Sequence, residues 1–92
     1  MKLKEGFLLK EIAGEYALFP VGQNIVDFRN IVAVNETGRF VVEKLQTELS
    51  YQELLADFLK EYEAADENEK EQMQYDLDRF LDNLWRHEML CM

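Results

Sequence analysis

Apolar and polar positions change rhythm about a third of the way along this chain. Residues 7–13, FLLKEIA, and 15–20, EYALFP, are short apolar-rich runs separated only by Gly14. Glycine accepts positive φ at little cost, so Gly14, with Ala13 or Glu15 as its companion, predicts the tip of a tight hairpin. A turn-rich interval at 20–24 precedes IVDF at 25–28, whose β-branched and aromatic content predicts a third strand. Arg29 and Asn30 break that run, and IVAV at 31–34 leads into Asn35-Glu36-Thr37-Gly38.

From there the period lengthens. Asn35 reads as an N-cap, its side-chain oxygen free to accept from a backbone N–H of the first helical turn, with Glu36 near the positive end of the helix. The helix is predicted to run to about residue 46, with Val34, Gly38, Val41 and Leu45 along one stripe flanked by Phe40 and Val42. Gly38 in its first turn costs about 1 kcal/mol relative to Ala, which predicts a close neighbour there, a strand or a helix. Ser50-Tyr51-Gln52-Glu53 fits the S-x-x-E capping box, and Leu54, Leu55, Phe58, Leu59 and Tyr62 follow at helical spacing. Residues 63–72 carry no large apolar group and predict a solvated connection. Met73, Leu77, Phe80, Leu81, Leu84 and Trp85 then mark a long amphipathic helix over about 67–88, its apolar end extended by Met89, Leu90 and Met92.

Three strands followed by three helices read as an α+β, winged-helix-like fold: a three-stranded antiparallel sheet packed on helices, in one domain spanning residues 1–92. The length permits a single modest core. At 48% hydrophobic and 12% aromatic residues, the composition is that of a globular chain. No run approaches the roughly 20 apolar residues of a membrane span, and the N-terminus lacks the apolar stretch of a signal peptide. A cytoplasmic location is expected.

Charge and chemistry narrow the function. Nineteen acidic against ten basic residues give a net charge of -9, which repels phosphate backbones and argues against nucleic acid. Ser50, the single serine, is accounted for as a cap. His87 has only Cys91 at ligand spacing, and two ligands do not make a zinc site. Carboxylate pairs such as Asp78 and Asp82 read as a solvated helix face. The glycines form no phosphate-cradling loop. No catalytic residue, cofactor or metal is expected.

The hairpin FLLKEIAGEYALFPVG, the IVDF run, the VNETGRF helix start, the helix over 50–62 and the closing DLDRFLDNLWRHEML together resemble the PqqD-like family over roughly residues 5–91. The most specific pieces are N-E-T-G after an apolar strand and the D-x-x-x-F-L-x-x-L tail formed by Asp76, Phe80, Leu81 and Leu84. The resemblance implies a non-catalytic domain, named after the pyrroloquinoline quinone biosynthesis chaperone. Such a domain captures the leader of a ribosomally made precursor peptide and presents it to a modifying enzyme, typically a radical S-adenosylmethionine protein. It further implies that the leader lies as an added strand beside the third strand, in the cleft toward the third helix. On this chain the cleft residues would be Ile25, Val26, Asp27 and Phe28 in the strand, of which alternation lets only Val26 and Phe28, or Ile25 and Asp27, face the peptide. On the helix, Leu77, Phe80, Leu81 and Leu84 would form an apolar floor or plain core, with Asp76 and Arg79 reaching polar groups of the leader. Asn35, Thr37 and Gly38 are given structural roles. A three-stranded sheet has a free edge able to pair with an extended peptide, which independently favours this use.

Two other readings compete. A winged-helix transcriptional regulator would share the pattern but needs the basic recognition helix that this chain lacks. A generic assembly subunit would dimerise through Trp85, Met89 and Leu90. A monomer or weak dimer, with a leader peptide and its modifying enzyme as partners, is the expected state.

Overall fold

A computed structural model describes residues 1–21 and 31–91. In chain order the elements are β1 (Lys2–Leu3), β2 (Phe7–Ile12), β3 (Glu15–Pro20), β4 (Val32–Val34), α1 (Glu36–Lys44), α2 (Tyr51–Glu61), α3 (Glu67–Arg86) and β5 (Leu90–Cys91). Strands β2, β3 and β4 form an antiparallel sheet in that order, followed by the three helices, so the α+β reading holds.

The hairpin closes as its sequence demands. Ile12 pairs with Glu15, and the two residues between them, Ala13 and Gly14, have φ of 55° and 83°. Positive φ at both central positions belongs to the two-residue turn whose twist matches the flanking strands. The sheet's third described strand is β4, in the IVAV segment before α1, whereas the third place in the sheet was expected for 25–28. The strand expected at 25–28 lies outside the described residues.

Asn35 caps α1 by accepting from the Gly38 N–H at 2.8 Å. Ser50 and Glu53 complete the capping box on α2, at 3.1 and 2.9 Å. The α3 N-cap is Asp66, which accepts from the Glu69 N–H at 2.8 Å. The far end of α3 departs from expectation. The helix stops at Arg86; the Glu88 N–H reaches the Trp85 carbonyl at 3.0 Å and the Met89 N–H reaches Leu84 at 2.9 Å. This paired closure needs a left-handed residue, and Glu88 supplies it with φ of 58° where glycine is usual. The turn redirects the chain, so Leu90 and Cys91 extend as β5 and pair with Leu3 and Lys2 rather than prolonging the helix. The Met1 ammonium meets Glu48, and the Leu3 N–H donates to the Leu45 carbonyl at 2.9 Å, which ties the start of the chain to the turn after α1.

One apolar cluster joins these parts: Leu18, Val32 and Val34 from the sheet, Val41, Val42 and Leu45 from α1, Leu54 and Phe58 from α2, and Leu77, Leu81 and Leu84 from α3, with Leu3, Met89 and Leu90 closing one end. Each fully buried Leu contributes about 1.5–3 kcal/mol. Phe40, Phe58 and Tyr62 add edge and tilted ring contacts at 5.2–6.2 Å between centroids. Met89 and Leu90 are buried, so of the surface imagined for self-association only Trp85, 55% exposed, is available.

Candidate functional site

Hairpin geometry decides which backbone groups β4 turns outward. A two-residue turn makes its flanking pair, Ile12 with Glu15, a hydrogen-bonded pair, and such pairs alternate along an antiparallel ladder. The Val21 N–H bonded to the Gly6 carbonyl at 2.7 Å has the same parity. Glu15, Ala17 and Phe19 therefore address β2, while Tyr16, Leu18 and Pro20 turn their backbone groups toward β4. Proline, which has no N–H to give, falls where β2 does not ask for one. Since Tyr16 pairs with Val34 and Leu18 with Val32, those two valines spend their backbone groups on β3, and Ala33 points its N–H and carbonyl away from the sheet. Among the described residues no strand pairs with that edge.

Side chains reverse this assignment. Val32 and Val34 enter the core and Ala33 is exposed, so the strand is anchored by its valines and open at its alanine.

Beyond β4 the chain turns into α1, and α3 lies alongside. Between the start of α1 and one flank of α3 is a groove of about 750 Å3. Asn35 and Thr37 stand at the α1 side; Asp76, Arg79, Phe80 and Asn83 stand at the α3 side; Val41, Phe58 and Leu77 form the base. Asp82 and Arg86 border it as an ion pair at 2.8 Å. A second depression, of about 720 Å3, runs from Gly14 and Tyr16 past Ala33 to Asn35 and Glu36. Asn35 borders both, so the two depressions adjoin at the end of β4.

Helical spacing explains why these α3 residues share a flank. Asp76, Arg79, Phe80 and Asn83 follow one another at i, i+3, i+4 and i+7, one side of a helix. Leu77, Leu81 and Leu84 sit on the adjoining face, which the core covers. Of the positions named from the sequence, Asp76, Arg79 and Phe80 thus reach the groove and Leu77 lies beneath it, 1% exposed. Leu81 and Leu84 are buried in the core at 7% and 0% exposure. Ile25, Val26, Asp27 and Phe28 lie outside the described residues. Asn83 was missed as a groove residue and Ala33 as a residue of the adjoining depression, while Asn35 and Thr37, given structural roles, also line the groove. Alternation could have singled out Ala33 only if IVAV had been read as a paired strand.

Polar contacts hold the walls. The Thr37 hydroxyl donates to the Asn35 side-chain oxygen at 3.0 Å, the same oxygen that caps Gly38. Gln72 donates to Asp76 at 3.0 Å. The Arg79 guanidinium lies 5.7 Å from the Tyr75 ring centre, in range of a cation–π attraction. Arg39 links β3 to α1: it donates to the Tyr16 hydroxyl at 2.7 Å and to Glu43 at 3.0 Å, and these bonds, Tyr16 first, raise its pKa. Burial raises the Tyr51 hydroxyl, which also donates to Asp78 at 2.6 Å and so joins α2 to α3. Among the described residues no group of three His, Cys, Asp or Glu is placed to hold a metal ion, and no described helix is long and apolar enough to cross a membrane.

A short sheet edge opening beside a helix-walled groove describes a small α+β module with room for an extended chain segment. The chain belongs to the PqqD family: the family model described as Coenzyme PQQ synthesis protein D (PqqD) matches residues 15–90 of the 92. That is a family of non-catalytic accessory proteins, and membership supports a PqqD-like peptide-binding partner in biosynthesis. No curated protein and no solved structure matches the chain.

Proposed function

We propose that this protein is a cytoplasmic peptide chaperone that binds the leader of a ribosomally made precursor peptide by strand addition at β4. It presents the held precursor to a modifying enzyme of the radical S-adenosylmethionine class. The observation that carries the reading is the outward N–H and carbonyl of Ala33, set next to a groove walled by Phe80 and Asp76. An added strand would gain main-chain hydrogen bonds from the alanine and side-chain selection from the groove. Apolar leader residues would rest against Phe80, and polar ones would meet Asp76 and Arg79.

The role asks for binding without chemistry, and the net charge of -9 makes a nucleic-acid partner a poor alternative. The test is an NMR titration with a synthetic leader peptide from the precursor encoded beside this protein. Amide shifts should concentrate in 31–35 and on the groove flank of α3, 76–86. Shifts confined to β2, or no shift at all, would remove the reading.

A further inference from the structure

Gly38 lies in the first turn of α1, where an Ala would be the better helix former by about 1 kcal/mol. Its φ is not in the left-handed region, so backbone conformation does not explain the residue. Space does. A Cβ placed there would come within 2.9 Å of Val34 Cγ1, 3.1 Å of Asn35 Oδ1 and 3.1 Å of Phe80 Cε1. These neighbours are the last residue of β4, the cap of α1 and the aromatic wall of the groove.

The three are not equally able to yield. Val34 is 5% exposed and locked in the core. Asn35 Oδ1 is held by the Gly38 N–H and the Thr37 hydroxyl. Phe80 is half-buried, with groove space beside it, and can give way by turning toward that space.

We infer that Gly38 is a positioning residue for peptide selection: the missing side chain lets the Phe80 ring lie down on α1, and so keeps the groove open next to Ala33. A side chain at 38 must displace both Val34 Cγ1 and the ring, and of the two only the ring moves into the volume that an incoming apolar residue would occupy. The aperture of the groove is therefore set on α1, one element away from the aromatic residue that forms its wall. This inference rests on the leader-docking reading and adds to it the determinant of which side chains fit.

The experiment measures leader affinity by calorimetry for wild type, Gly38→Ala, Phe80→Leu and the double variant, with the same synthetic leader. A set of leader peptides, each with one apolar residue cut back to Ala, is measured alongside. Gly38→Ala should weaken binding roughly tenfold, the scale of an obstructed rotamer plus a lost apolar contact. The loss should shrink for the one truncated leader whose shortened residue no longer meets the ring. In the Phe80→Leu background, which lacks the Cε1 atom in the way, Gly38→Ala should have little further effect. Circular dichroism melting establishes that each variant is folded at the assay temperature; if Gly38→Ala alone is not, the double variant is compared with Phe80→Leu, and a further loss of affinity there overturns the inference.

Equal losses in both Phe80 backgrounds, or a loss uniform across all the truncated leaders, would reduce Gly38 to a packing residue and overturn the inference. Failure of the wild-type protein to bind the intact leader would instead remove the docking reading and this inference with it.

Discussion

The described sheet has two edges, and they differ in what stands next to them. β2 is six residues long and β4 three. By the alternation that turns Ala33 outward, β2 turns out the backbone groups of Phe7, Leu9 and Glu11, so it offers more hydrogen bonds than β4 does. Yet no lining residue of either depression comes from β2, and its exposed side chains, such as Leu8 at 47%, stand on an open sheet face. Beside β4 stand the α1 cap and the Phe80 flank of α3. Main-chain pairing is indifferent to sequence, whereas selection requires walls that a side chain can fit or fail to fit. On the proposed reading the shorter edge is therefore the recognition site, and the longer one is a bare template of the kind proteins guard with charge; Lys10 and Glu11 fall on it.

The comparison breaks most sharply under proline substitution. Ala33→Pro deletes a donor that no described strand uses, and edge strands tolerate proline where the N–H faces out. Leader affinity should fall by at least about tenfold while the protein stays folded. Glu11→Pro, the equivalent change on β2, should leave affinity within about twofold. Calorimetric titration of both variants decides, and the opposite ranking would move the site to β2.

A smaller contrast concerns side chains. Phe80→Ala should weaken the leader by about tenfold, on the scale of truncating an aromatic anchor, and Leu8→Ala by less than about twofold. Equal effects would mean that the groove contributes no selection.

The smallest effect lies away from both edges and serves as their control. Hydrogen bonds to Ser50, from its backbone N–H first and its side chain second, hold the Glu53 carboxyl below the usual glutamate range. A carboxyl whose folded pKa is lowered stabilises the native state above its unfolded pKa, and the contribution disappears as pH falls through the folded one. The stability difference between wild type and Glu53→Gln, from urea unfolding, should therefore shrink on acidification through that range. Leader affinity at neutral pH should be unchanged by the substitution.

Much of this architecture was readable residue by residue. Gly14 announced the hairpin, Asn35 and the Ser50–Glu53 pair announced helix starts, and the spacing from Met73 to Trp85 announced α3. These signals are local: a cap, a turn or an amphipathic stripe is written within a few positions and answers to backbone geometry common to all proteins. Gly38 was legible as a close approach, though not the identity of the ring that approaches.

Helix ends were harder to read, because the residues in left-handed conformation after α2 and α3 are Glu63 and Glu88 rather than glycine. Tertiary packing can hold such residues where local preference would not.

What the amino-acid order determined by itself was the set of elements and their apolar faces, since these follow from periodicity and capping within each segment. The tertiary structure alone decided that Val32–Val34 joins the sheet, that the two termini pair as β1 and β5, and that Phe80 closes over Gly38 near the outward-turned Ala33. Each of those joins residues distant in the chain, and a strand of two or three residues has too few positions to state a period; its partner, not its sequence, makes it a strand.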